Sequence, residues 1–234
     1  MDNFYHFANL EGDSPTLYVE GYIEPNTPWY DNYTRNFLSP SAFRDALKSC
    51  EGKLLTVIVD SQGGDLAAGI AMHESLKAHK GDIRLLIYRA YSSATLVALG
   101  VQKEKRLISA GGSVLIHNPS SQASGDWRDM ESAKQYLQTC AHAAAAIYAR
   151  ELGITAEEAQ TLMDAETAWS GQDAVDAGWA CGLISAADAQ AQMRSRLKAA
   201  MAANERTIRA ALKRADEDKE RANLIRLLEQ HPTT

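Results

Sequence analysis

The sequence predicts an α/β protein built on a largely parallel sheet, and three observations carry that expectation. Continuous apolar runs of the buried-strand kind stand at 54–60 (LLTVIVD), 83–90 (IRLLIYRA) and 113–117 (SVLIH). A helical pattern at 66–79 and an apolar stretch at 94–101 separate them. Strands that alternate with helices form βα units, whose strands lie parallel beneath covering helices.

In chain order, residues 16–24 (TLYVEGYIE) alternate apolar and polar side chains, which predicts an early strand. A turn-rich stretch with Pro25, Pro28 and Pro40 follows, then a short helix over about 41–48. After the strand at 54–60, Ser61-Gln62-Gly63-Gly64-Asp65 reads as a turn opening the helix at 66–79. The strand at 83–90 gives way to Ser92-Ser93 and the apolar stretch at 94–101. The strand at 113–117 runs into the polar segment NPSSQASGD at 118–126, and helical patterns cover 126–152 and 155–164. Beyond residue 186 the chain becomes a charged helix with sparse apolar positions (Leu197, Met201, Ile208, Leu212, Leu224, Leu228), more simply a solvated tail than a partner-binding helix. The expected organisation is an N-terminal segment at 1–15, one main domain at 16–185 and a helical tail at 186–234.

Composition narrows the function. The 234 residues are 45% hydrophobic, and 24 basic against 30 acidic side chains leave a net charge of −6. That apolar content supports a full core, and the acidic balance argues against a nucleic-acid partner. Without a run of about 18 apolar residues no membrane span is expected, and MDNFYHFANLEGD lacks the basic and apolar regions of a secretory signal. The three cysteines, Cys50, Cys140 and Cys181, read as buried thiols in a reducing compartment. The expectation is a cytoplasmic chain with no metal and no other cofactor.

Three strand ends offer chemistry. Ser92 and Ser93 stand where a buried strand meets an apolar helical run, so a helix N-terminus with free N–H groups lies beneath them; most such serines are only caps. Gly63-Gly64 follows the strand at 54–60 and would expose backbone N–H groups, though its spacing is not that of a phosphate-binding loop. His117 ends the strand at 113–117. Parallel strands deliver their C-terminal ends to one edge of the sheet, where sites of α/β proteins assemble, so a serine, a histidine and an oxyanion-holding pair can meet there. A general-base imidazole needs a carboxylate on its far nitrogen. Asp164 and Glu166 are the candidates and the residues alone do not choose between them, while Asp173 and Asp176 read as the solvated face of a following helix.

The blocks SQGGDLAAGIAMHESL, RAYSSATLVALG, KRLISAGGSVLIHNP and ETAWSGQDAVDAGWACGLI, in that order over about 16–185, resemble the Clp protease proteolytic subunit (ClpP) family. They are most similar to its head maturation proteases of tailed bacteriophages and prophages. The resemblance implies the ClpP/crotonase-type fold of repeated β-β-α units with a protruding handle. It places Ser92 as nucleophile, His117 as base and Glu166 as the third member, with Asp164 as runner-up. Gly63 and the N–H of Ser93 would form the oxyanion hole. Gly64, Tyr91, Asn118, Pro119, Ser120 and Ser121 would bind substrate, the segment after His117 acting as a handle strand that pairs with an extended peptide. The chain departs from the family in having Gln62 for a proline, Tyr91 for a small residue and Glu166 for an aspartate. What is implied is an ATP-independent serine endopeptidase in a homo-oligomeric ring. Its substrates would be proteins or peptides, among them phage scaffold and capsid proteins, in the bacterial cytoplasm or the procapsid. The competing readings are an inactive ring or scaffold component and a crotonase-type acyl-CoA enzyme.

Overall fold

The structure, a computed structural model, describes residues 7–8, 15–25 and 37–191, together with 194, 201, 204–205, 208–209, 211–214 and 216–220. The chain divides into two compact units, Met1–Ala189 and Gln190–Thr234.

In the first unit the elements are β1 (Phe7–Ala8), β2 (Thr16–Ile23), β3 (Phe37–Leu38), α1 (Pro40–Ser49), β4 (Leu55–Gly64), α2 (Leu66–Ala78), β5 (Ile83–Tyr91) and α3 (Ser93–Leu99). A short 3-10 turn leads to β6 (Arg106–Leu115), α4 (Trp127–Leu152), α5 (Ala156–Asp164), β7 (Ala168–Ser170), α6 (Gly171–Asp176) and β8 (Gly182–Leu183). The strands form one sheet in the order β1-β2-β4-β5-β6-β7, with β3 on β2 and β8 on β6. The central pairings β2–β4, β4–β5 and β5–β6 are all parallel, so the C-terminal ends of β4, β5 and β6 share one edge. The predicted α/β class with a mostly parallel sheet is what the chain adopts.

The apolar runs form the strands because both faces of the sheet are covered: Val57, Val59, Leu85 and Ile87 on one face and Ile58 and Leu86 on the other are all buried. Every residue of α3 is buried as well. Leu96, Val97 and Leu99 alone are worth about 1.5–3 kcal/mol each in removed apolar surface, which pins the start of α3 to the sheet. The starts of α2, α4 and α5 carry side-chain caps. Asp65 accepts from the Ala68 N–H at 2.7 Å, and Asp126 with Asp129 and Thr155 with Glu158 form reciprocal capping boxes on α4 and α5.

Several expectations are corrected. Ser61–Gly64 is not a turn but the last part of β4, because the ladder with β2 resumes after a register shift and pairs Gly63 with Tyr22 and Gly64 with Ile23. The strand expected at 113–117 begins at Arg106. Leu85–Ile87 pair with Arg106–Ile108 and Arg89–Tyr91 with Ser113–Leu115, so residues 109–112 bulge from the ladder around Gly111-Gly112. Residues 116–124 carry no regular secondary structure and pair with no strand among the described residues, so the expected handle strand is unlaid in the single chain. Only Cys50 is a buried thiol; Cys140 is half-buried and Cys181 exposed. The turn-rich stretch at 26–36, most of 1–15 and His231 lie outside the described residues.

Beneath α3, His73 of α2 is fully buried. Its Nδ1 lies 2.8 Å from the Leu96 carbonyl, so it donates there, and its Nε2 accepts from Arg150 at 2.9 Å. Glu74 and Glu151 stand 3.7 Å from the same Nε2. Burial outweighs these carboxylates and holds the imidazole below its ordinary pKa. A histidine buried neutral binds fewer protons than it does unfolded, so stability falls as the pH drops through the unfolded-state value. His73→Gln should therefore lose less melting temperature between pH 7 and pH 5 than the parent chain; equal losses would place the acid sensitivity elsewhere.

In the second unit the described residues are helical, with Met201, Ile208 and Leu212 exposed. Arg209–Glu205 and Lys213–Glu217 pair one turn apart along it. Leu197, Leu224 and Leu228 lie outside the described residues. No helix among the described residues is long and apolar enough to cross a membrane.

Candidate active site

Ser92 sits between β5 and α3 with φ 53° and ψ −130°. Its N–H donates to the Leu115 carbonyl at 2.9 Å, continuing the β5–β6 pairing past Tyr91. Its carbonyl accepts from the Thr95 N–H and from the Thr95 hydroxyl. The side chain caps nothing. Ser93 differs: it is 2% exposed, its Oγ has no partner among the described residues, and it packs on Gly69, where an added Cβ would meet the Ser93 Cβ at 2.8 Å. Of the serine pair, Ser92 alone is half-exposed.

Gly63, at φ +90°, lies directly against this turn. A Cβ there would stand 2.4 Å from the Tyr91 carbonyl oxygen, 2.8 Å from the Ser92 Cβ and 3.0 Å from the Ser93 nitrogen. The Gly63 N–H is not free: it donates to Ser61 Oγ at 3.1 Å, and Ser61 Oγ donates in turn to the Gly21 carbonyl at 2.6 Å. The Ser93 N–H, at the first position of α3, has no intrahelical acceptor. One of the two expected oxyanion donors is thus open and the other is held by Ser61. Gly63→Ala, which forces a Cβ into backbone atoms at a left-handed φ, should cost about 2–4 kcal/mol in urea unfolding. An unchanged midpoint would mean that this backbone is not packed on Ser92. Gly64 packs on β2, where an added Cβ would meet the Ile23 carbonyl oxygen at 2.1 Å. The Tyr91 hydroxyl reaches back along the sheet to Ser113 Oγ at 2.8 Å.

His117 follows β6 and is half-buried. Both its neighbours are anchored to one segment. The Ile116 N–H donates to the Thr167 carbonyl at 3.0 Å. The Asn118 Nδ2 donates to Asp164 Oδ1 at 2.7 Å, and Gln160 Nε2 bonds both Asn118 Oδ1 and Asp164 Oδ1. This clamp leaves no local signal in the sequence, because the partners of Asn118 lie more than 40 residues on. The amides of Asn118 and Gln160 hold the Asp164 carboxyl below the usual carboxylate range.

Glu166 ends the same segment in a left-handed turn at φ 49°, with its N–H on the Met163 carbonyl and the Thr167 N–H on the Leu162 carbonyl. That pattern normally places glycine at the left-handed position. Its side chain is exposed, and neither Glu166 nor Asp164 bonds the His117 ring among the described residues. Asn118 and Pro119 line a cavity of about 440 Å³ with Lys134, Leu137, Ala141 and His142 of α4 and Gln160 of α5. Ser120 and Ser121 are exposed beyond it. Among the described residues no group of three His, Cys, Asp or Glu could hold a metal ion.

Residues 44–187, which contain Ser92, His117, Asp164 and Glu166, match the family described as Clp protease. The chain belongs to the Clp protease family. It is 25% identical over 152 residues to the ATP-dependent Clp protease proteolytic subunit of Streptococcus agalactiae serotype V, a match covering 64% of this chain and 76% of the relative. The protein of the same description from serotype III of that species matches to the same extent. Membership of the Clp protease family makes the chain a hydrolase of peptide bonds in class, and the sheet edge that gathers Ser92, His117 and the 160–167 segment lies inside the matched stretch.

Proposed function

We propose that the chain is a serine endopeptidase of the ClpP type in which Ser92 attacks the peptide carbonyl, His117 takes and returns the proton, and Glu166 orients His117. One observation carries this reading. Among the described residues, only Ser92 and Glu166 hold a left-handed φ without being glycine. Each such conformation costs about 1–3 kcal/mol and persists where the surroundings over-determine it, most often at functional sites. Glu166 keeps a non-glycine residue in a turn that normally carries glycine, and both strained residues adjoin the segment around His117: the Ser92 N–H bonds the Leu115 carbonyl and the Thr167 carbonyl accepts from Ile116.

In this mechanism the Ser93 N–H receives the developing oxyanion. Gly63 joins it by exchanging its bond to Ser61 for one to substrate. Each donor contributes about 3 kcal/mol to transition-state stabilisation. The cavity beside Asn118 takes a substrate side chain, and residues 118–126, unpaired in the single chain, supply a strand edge for an extended peptide. Asp164, already bonded to two amides, holds Asn118 in place rather than His117. The family further supports protein substrates and a ring of subunits. The resemblance to head maturation proteases makes phage scaffold and capsid proteins the substrates to try first. In this reading peptide hydrolysis itself is ATP-independent.

The deciding experiment is intact-mass labelling with a fluorophosphonate, followed by peptide mapping. A single adduct on Ser92 supports the peptidase reading. No adduct on assembled protein would leave a ring or scaffold component as the function.

A further inference from the structure

A buried hydroxyl chain runs from α4 to the turn that carries Ser92. Tyr148 of α4 is 2% exposed and Thr95 of α3 fully buried. The Tyr148 hydroxyl lies 2.6 Å from Thr95 Oγ1, and Thr95 Oγ1 lies 2.5 Å from the Ser92 carbonyl oxygen. The carbonyl can only accept, so Thr95 donates to it and must accept from Tyr148. The direction of the whole chain is therefore fixed: Tyr148 O–H to Thr95 O–H to Ser92 C=O. Tyr148 is itself held edge-on against the fully buried Trp179, ring centres 6.1 Å apart.

The Ser92 carbonyl and the Ser93 N–H belong to one planar peptide unit and point in opposite directions from it. Whatever fixes the carbonyl also aims the N–H. That N–H is the open oxyanion donor of the site, and the residue before it is strained, so the plane has a left-handed neighbour pulling on it. Two donors converge on the carbonyl, the Thr95 N–H at 2.9 Å and the Thr95 hydroxyl. Hydrogen bonds in series in a dry interior polarise one another, which also strengthens the donor at the far end of the peptide.

We infer that Tyr148 and Thr95 are positioning residues that set the direction and strength of the Ser93 N–H toward the oxyanion. The inference rests on Ser92 being the nucleophile. A helix-end threonine bonded to a cap carbonyl is common as a purely local feature. The buried tyrosine that orients its hydroxyl from another helix is what gives the pair a task beyond local capping.

The test uses the full-length chain and a fluorogenic peptide amide, with fluorophosphonate labelling rates alongside. Tyr148→Phe removes one oxygen and keeps the ring packing. It should lower kcat about tenfold with KM unchanged, since the oxyanion forms only in the transition state. Thr95→Val should lower kcat by about ten- to a hundredfold, and Thr95→Ser should restore most of it. Adding Tyr148→Phe to Thr95→Val should change little more, because both act through one chain. Thermal unfolding checks that each variant is folded. Tyr148→Phe and Thr95→Val that both keep the parent kcat and labelling rate overturn the inference and leave Ser92 untouched, as does a loss that appears in KM alone. A fluorophosphonate adduct that persists in Ser92→Ala overturns both this inference and the reading beneath it.

Discussion

Ser92→Ala is expected to lower peptide hydrolysis on the order of 10⁵–10⁶-fold while leaving the unfolding midpoint within about 0.5 kcal/mol of the parent. The two halves of that expectation come from the same observation. The Ser92 side chain makes no capping bond and is half-exposed, so its oxygen contributes nothing to the fold that an alanine would forfeit. The backbone strain stays, because alanine at φ 53° carries the same Cβ. A residual rate above water should survive, since the Ser93 N–H remains where it was. Ser93→Ala is the matched control. Its Oγ is buried without a partner, so removing it costs no hydrogen bond and should leave the fold at least as stable. Hydrolysis should persist in that variant. Activity surviving Ser92→Ala and vanishing in Ser93→Ala would move the nucleophile by one residue, against the packing of Ser93 on Gly69.

Much of the scaffold was legible because burial on both faces of a parallel sheet leaves unbroken apolar runs. LTVIV and IRLLIY could be read as strands without knowing their neighbours, and Thr155 and Asp164 bound a helix where the pattern placed one. What misled is equally specific. Ser61-Gln62-Gly63-Gly64 has turn composition, yet β2 continues beside it and supplies ladder partners that no local rule contains. The start of β6 is hidden by Arg106, a charged residue that is 1% exposed, with a guanidinium nitrogen on the Gly178 carbonyl 72 residues away. Burial pushes that guanidinium down to about 10. For the candidate site, the strand-end rule put Ser92 and His117 at one sheet edge, since parallel topology alone brings such ends together. The Tyr148–Thr95 pair and the Asn118–Asp164 clamp were not legible: each joins residues separated by tens of positions, and neither leaves a periodic or motif signal. The occupied Gly63 N–H was also invisible, because only the fold shows that Ser61 Oγ turns back toward it.

Glu166→Gly is expected to make the protein more stable and far less active at once. Glycine relieves about 1–2 kcal/mol of left-handed strain and gives back about 0.5–1 kcal/mol in backbone entropy. The exposed side chain forfeits little packing, and the left-handed turn that glycine normally fills is kept. The net gain of about 0.5–1 kcal/mol corresponds to a rise of about 2 °C in Tm for a chain of this size. Hydrolysis should fall about 10⁴-fold, the usual loss when the carboxylate that orients a catalytic imidazole is removed. Glu166→Gln separates the two effects, since it keeps the strain and loses the charge: activity should drop as far with no gain in Tm. Asp164→Asn then discriminates between the carboxylates. Asp164 holds Asn118, which lines the cavity beside His117, so its loss should raise KM and lower stability together. Glu166 does not line that cavity, and its loss should appear in kcat alone. A fully active, stabilised Glu166→Gly paired with an inactive Asp164→Asn would reverse the assignment and make the strained turn at Glu166 a matter of chain direction only.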